Sequence, residues 1–261
     1  MAADGTHRIA DKARRDLLDL RRQVTREVER LIQRLDTERG SSTLVRDREA
    51  LATASRVRLQ ITAALNAGAS MVDTIGMDGI DRAAQVATRD VVLGKGFEPD
   101  ANAIIQRIRN GTLDEVPAAF GEAATRIGEA MRAGLTTGAD LGDLIDTVRV
   151  AVHTSFARAQ SAVDTAIVGT GRAIVLDSGA AAQRQTREVI VYEYVGSDDQ
   201  KTRPFCRAHL GKAFTREALD RLDNGQGLRP TSTFLGGYNC RHSLAPLTIS
   251  EAQRQGTQVI R

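Results

Sequence analysis

The sequence predicts a mainly α fold, with an elongated multi-helix N-terminal part and a small α+β C-terminal module. Three observations predict it. Apolar residues recur at helical spacing through the first 180 residues. Aromatics are scarce, with six Phe, three Tyr and no Trp in 261 residues, so the helical part must fill its core with Ala, Leu, Ile and Val on closely approaching helices. Six of those aromatics (Tyr192, Tyr194, Phe205, Phe214, Phe234 and Tyr238) fall after residue 182, together with both cysteines and three of the five prolines. That shift in composition divides the chain into a helical domain, 1–180, and a small α+β module, 187–261, with 178–186 as the junction.

The first helix is the clearest. Ile9, Ala13, Leu17, Leu20, Val24, Val28, Leu31 and Leu35 follow one another in steps of three and four, a stripe close to the α-helical repeat. Charges of both signs cover its other faces, as on a solvated helix laced with i,i+4 pairs or on an arm that docks on a partner. Helices are expected over 46–67 (Leu51, Val57, Ile61, Leu65) and 72–93 (Ile75, Ile80, Val86, Val91). The run Gly94-Lys95-Gly96-Phe97-Glu98-Pro99 is a breaker. It lacks the preceding strand and the GK[ST] of a phosphate loop. Asp100 suits the N-cap of a short helix carrying Ile104, Ile105 and Ile108, which Asn110-Gly111 ends. Another helix covers 118–133 up to Gly134, and a long one runs from Leu141 to about Leu176.

Beyond the junction, 187–195 is β-branched and aromatic and reads as a strand. Gly196 to Gln200 is a turn. Thr215 followed by an acidic first turn predicts a helix over 215–223. Residues 224–238 read as glycine-rich loop, and Ser243 to Leu247 as a short strand.

The bulk properties narrow the function classes. Hydrophobic residues make up 41% and charged residues 26%, which excludes a wholly disordered chain. No apolar run approaches the ~20 residues of a membrane span. The start, Met1 to His7, lacks the basic-then-apolar pattern of a secretory signal, so a soluble protein assembled in cytoplasm is expected. A net charge of +3, from 36 basic and 33 acidic residues, is too small an excess to argue for nucleic-acid binding on its own.

The one dense constellation lies in the module: Cys206-x2-His209 and Cys240-x-His242. Two thiolates and two imidazoles make the ligand set of a closed tetrahedral structural zinc site. The same cysteines also suit two buried free thiols in a reducing compartment, or a disulfide. Catalysis is not expected. A zinc deaminase needs H-x-E followed by P-C-x-x-C, and neither is present. A Cys206–His242 nucleophile pair has only Arg207 and Arg241 nearby in sequence to activate the thiol. Asp198 and Asp199 read as turn formers.

The tail resembles the phage Mu protein F-like head morphogenesis family, the minor head proteins of tailed bacteriophages. The matching residues are Asp199, Arg203, Cys206, Leu210-Gly211, Pro230 and Asn239-Cys240-Arg241. The lead-in Ala133-Gly134 before Leu141-Gly142-Asp143-Leu144-Ile145 is similar as well, so the resemblance covers roughly 118–250. It departs at the closing motif, where Gly237 stands at the family's His and His242 at its last Cys. The resemblance implies a structural minor head protein in the virion, at the portal vertex or capsid interior. Such a protein would be assembled in the host cytoplasm, in several copies. Its partners would be the portal or other head proteins, with DNA contact left open, and its role would lie in head assembly, DNA packaging or ejection. A head–tail connector or neck component, and a metal-dependent nuclease or toxin-like enzyme, are the alternatives.

Overall fold

The computed structural model describes residues 2–37, 48–92, 100–137 and 141–261. Five helices come first: α1 (Ala2–Thr37), α2 (Arg48–Val92), α3 (Ala101–Thr112), α4 (Glu115–Thr137) and α5 (Leu141–Thr186). The C-terminal part follows as β1 (Ile190–Val195), α6 (Pro204–His209), β2 (Ala213–Phe214), α7 (Arg216–Arg221), α8 (Thr231–Phe234), β3 (Ser243–Thr248), α9 (Ile249–Arg254) and β4 (Val259–Ile260). The protein is therefore mainly α with a small α+β C-terminal module. No helix among the described residues is long and apolar enough to cross a membrane.

Several boundaries differ from the sequence reading. The helices expected over 46–67 and 72–93 are one 45-residue helix. The linking Gly68-Ala69-Ser70-Met71 holds no proline, and Gly68 sits where a Cβ would lie 3.2 Å from Val24 and 3.3 Å from Phe120, so its bareness serves packing and not a break. α4 likewise continues through Gly134 to Thr137. The 178–186 segment is helical and belongs to α5, whose end comes only where Arg187 takes a left-handed φ of 59° and its N–H still reaches Gln183 O. The 224–238 loop contains the short helix α8. The breaker at 94–99 lies outside the described residues.

Two compact units emerge, and α1, α2 and α5 each contribute to both. One, residues 14–75 and 113–162, is helical in its described part apart from the turn at Leu113-Asp114. The α1 stripe predicted from Leu17, Leu20, Val24, Val28 and Leu31 is buried there, with Ile61 and Leu65 of α2, Phe120 and Ile127 of α4, and Val148, Val152 and Phe156 of α5. The rings of Phe120 and Phe156 meet edge to face at 5.0 Å. Ser155 Oγ, buried, donates to Ala119 O and bonds Ala151 O of its own helix, both at 2.9 Å. At the surface Arg158 joins Glu115 and Glu122.

The other unit holds residues 1–13, 76–112 and 163–261. Here small residues let helices approach. A Cβ on Gly79 would lie 2.5 Å from Ile167, one on Gly171 2.7 Å from Thr6, and one on Gly169 3.3 Å from Phe234. The sheet has the order β3-β1-β2-β4, with β1 antiparallel to both neighbours and β2 parallel to β4. Pro246 is tolerated because β3 is an edge strand. Alternation along β1 sends Tyr192 and Tyr194 to one face, into a core with Leu176, Cys206, Phe214, Leu219 and Leu235. Val191 goes to the other face, with Ala213 and Ala252.

Candidate metal centre

Three local structures bring the site together. Pro204 opens α6 at a position where its missing N–H is not needed, and two residues later Cys206 turns into the core. After α8 the chain reverses through Gly237 (φ 85°) and Asn239 (φ 55°), which places Cys240 beside Cys206. Asn239 N–H is anchored to Thr165 Oγ1 of α5 at 3.0 Å. His242 then enters β3 with its ring turned inward, and Gly196 makes room for it, since a Cβ there would lie 2.5 Å from the imidazole.

The result is a sealed cluster. Cys206, Cys240 and His242 are 1%, 5% and 2% exposed. The two Sγ atoms are 3.9 Å apart, and Cys240 Sγ is 3.8 Å from His242 Nδ1. Their ligand atoms all lie within 4.8 Å of one another, so the three residues can hold a metal ion. Both cysteines are free thiols.

His209, the fourth residue of the predicted ligand set, stands outside this group. Its Nδ1 donates to Phe205 O at 2.6 Å, one turn back along α6. Its ring lies 4.4 Å from Phe205 and 5.5 Å from Phe214, centroid to centroid, and shares Tyr194, at 6.1 Å, with the ring of His242. The Cys-x2-His spacing puts both side chains on α6, but the flanking aromatics claim the imidazole.

The electrostatics of the pair follow from its isolation from water. The hydrogen bond from Cys206 holds the Cys240 thiol far below its ordinary value, and Arg172 and the backbone N–H of His242 add to that effect against the cost of burial. The same hydrogen bond, with burial, pushes Cys206 up. Tyr194, whose hydroxyl is 3.9 Å from Cys240 Sγ, has its phenol pushed far up by burial and then by the charge on Cys240.

A buried cation frames the cluster. Arg172 of α5 is 3% exposed and bonds only to main-chain oxygens in its described contacts. Its Nε and Nη2 donate to His242 O at 2.9 and 2.6 Å, Nη2 also to Cys240 O at 2.5 Å, and Nη1 to Thr233 O at 3.2 Å. It holds the backbone of two cluster residues at once. His7 of α1 also senses it, with a pKa lowered first by burial and then by Arg172. The sequence reading does not single out Arg172 or His7. A signal for Arg172 was present: it is the only charged residue between Thr165 and Leu176.

The acidic turn does positioning. Asp199 takes both guanidinium nitrogens of Arg241, at 2.9 and 2.7 Å, and that interaction holds its carboxyl well below the usual range. Asp199 also accepts from Lys201 N at 2.8 Å. Thr202 Oγ1 donates to Ser197 O at 3.0 Å, and that carbonyl in turn accepts from His242 Nε2 at 3.1 Å. Asp198 pairs with Arg207 at 2.9 Å. The expectation that Asp198 and Asp199 shape a turn describes this arrangement.

No protein-family model, no curated protein and no solved structure matches this chain.

Proposed function

We propose that this chain is a structural minor head protein of a tailed bacteriophage, acting at the portal vertex or capsid interior by binding and not by turnover, with zinc fastening its C-terminal module. The family resemblance supplies the virion setting. One observation supports reading the resemblance as architecture: the residues that carry it are engaged in contacts that hold the module itself together. Asp199 clamps Arg241, Arg203 Nη1 donates to Gly236 O at 2.8 Å, and Cys206 faces Cys240. Gly211, at φ 71°, donates to Tyr194 O at 2.9 Å, and Pro230 O accepts from Thr233 and Phe234. A motif whose members are occupied in holding the module's own chain together specifies a shape to be recognised, and its buried sulfurs are closed to substrate.

The departure at Gly237 fits the same reading. A Cβ there would lie 2.4 Å from Gln226 Oε1, whose oxygen accepts from Tyr238 N at 2.8 Å, so Gln226 closes the loop over a residue that has no side chain.

The test is co-expression with the portal protein of the same phage, followed by purification of the complex and a particle map. Co-purification and density in the head support the proposal. Density confined to a neck ring would assign the chain to the connector. Cleavage of DNA or RNA that a chelator abolishes, and that Cys206→Ser removes, would make it an enzyme.

A further inference from the structure

Cys206, Cys240 and His242 satisfy three separate requirements of a metal site. The first is spacing. Two sulfurs bound tetrahedrally at about 2.3 Å stand about 3.8 Å apart, and a sulfur and an imidazole nitrogen about 3.6 Å. Two of the three pairs here measure 3.9 and 3.8 Å, and all three lie within 4.8 Å. The second is the tautomer. Ser197 O can only accept, so the 3.1 Å contact places the ring proton of His242 on Nε2 and turns the Nδ1 lone pair toward Cys240 Sγ. A ring N–H given to a backbone carbonyl is how proteins orient a metal-binding imidazole. The third is rigidity. Arg172 fixes the carbonyls of both Cys240 and His242, and Gly236 lets the main chain approach the sulfurs, since a Cβ there would lie 2.4 Å from Cys206 Sγ and 3.3 Å from Cys240 Sγ.

We infer that these three side chains, without His209, form a zinc site with Cys206 Sγ, Cys240 Sγ and His242 Nδ1 as the protein ligands and a small non-protein donor, water, as the fourth. This deepens the zinc reading given above and is independent of the virion assignment. Two thiolates and an imidazole are the donor set of zinc and not of magnesium or calcium, which take oxygen. Among the described residues no fourth His, Cys, Asp or Glu joins the group. Three protein ligands and a water also make up hydrolytic zinc centres. Here the burial of all three ligands shuts out a substrate, so the ion is structural. It ties α6 to the segment that leads into β3.

The experiment titrates reduced, metal-free, full-length protein with zinc against a chromophoric chelator, and in parallel with cobalt(II), read by its visible and thiolate charge-transfer absorption. One equivalent of zinc and a cobalt spectrum carrying two thiolates are expected. His242→Gln should weaken zinc by more than about 100-fold, beyond the 10–100-fold loss typical of an outer partner. His209→Gln should leave the affinity unchanged. Cys206→Ser and Cys240→Ser should each remove one thiolate from the cobalt spectrum. Failure of the reduced wild-type chain to take up one equivalent would overturn the site, whether or not any variant folds. A His209→Gln loss equal to that of His242→Gln would overturn the ligand set. Portal binding by a chain that takes no zinc would leave the head-protein reading standing. Tight zinc uptake by a chain that never meets the portal would do the reverse.

Discussion

At the scale of single residues, Arg172 is the most consequential side chain outside the cluster. A guanidinium removed from water is stable only because carbonyls of Thr233, Cys240 and His242 surround it. Replacing it with methionine keeps much of the volume and leaves those oxygens without their donors. Arg172→Met should therefore cost about 3–5 kcal/mol in urea denaturation of the reduced, metal-free protein. A loss below about 1 kcal/mol would mean that water replaces the guanidinium and that the residue is dispensable. The site was partly legible in the sequence. Two cysteines and two histidines at short spacing announced a ligand set, and three of the four converge. His209 was not separable by spacing, because its ring is held by Phe205 one turn back on α6 and by Phe214 of β2, and the Cys-x2-His pattern registers neither contact. Arg172 was hidden for a different reason. It lies 61–70 residues from its acceptors, and those acceptors are main-chain oxygens, which no residue pattern reveals.

At the scale of elements, a phenol helps to tie the junction between α5 and β1. Tyr192 Oη donates to Leu176 O at 3.0 Å, and the approach is open because residue 179 is glycine: a Cβ there would lie 2.2 Å from that oxygen. Burial pushes the Tyr192 pKa up to about 12, with Arg216 opposing and Asp177 and Glu217 assisting. A phenol whose pKa in the fold exceeds its unfolded value of about 10 favours the fold while protonated. That contribution is complete below about pH 10 and disappears as the pH climbs to about 12, an interval worth about 2–3 kcal/mol. Denaturation midpoints followed between about pH 9 and about pH 12 should fall steeply in the wild type, and Tyr192→Phe should shrink the fall by that amount. Equal slopes in the two proteins would show that Tyr192 ionises without disturbing the junction. The strand and the capped helices α3 and α7 were readable, since Asp100 and Thr215 accept from the backbone as capping residues do. The continuity of α2 and the C-terminal ends of α4 and α5 were not. Gly68, Gly134 and Gly179 look like breaks in a sequence, yet all three are helical, and Gly68 and Gly179 are close-packing positions whose partners come from distant segments.

At the scale of the whole molecule, the change in composition near residue 182 marks where the sheet begins, and the packing draws its line elsewhere. The unit that contains the sheet also takes residues 1–13, 76–112 and 163–186. Leu176 belongs to the core beneath Tyr192 and Tyr194, Arg172 anchors the cluster, Thr165 holds Asn239, and Gly169 receives Phe234. A fragment of residues 187–261 keeps every cysteine and histidine of the predicted ligand set and loses all four of those supports. With only about 75 residues, it also has a small core of its own to fall back on. The fragment should accordingly show no cooperative thermal transition in its reduced, metal-free form, with poor dispersion in its amide spectrum, while the full chain melts cooperatively under the same conditions. Zinc is the informative addition. If the ion alone restores a dispersed spectrum, the metal is the dominant fastener and the helices only shelter it. If nothing short of restoring the helical segments does so, the sheet is folded by α5 from outside and the metal secures a geometry already set. A fragment that melts cooperatively without metal would refute the shared core and make 187–261 a domain in its own right.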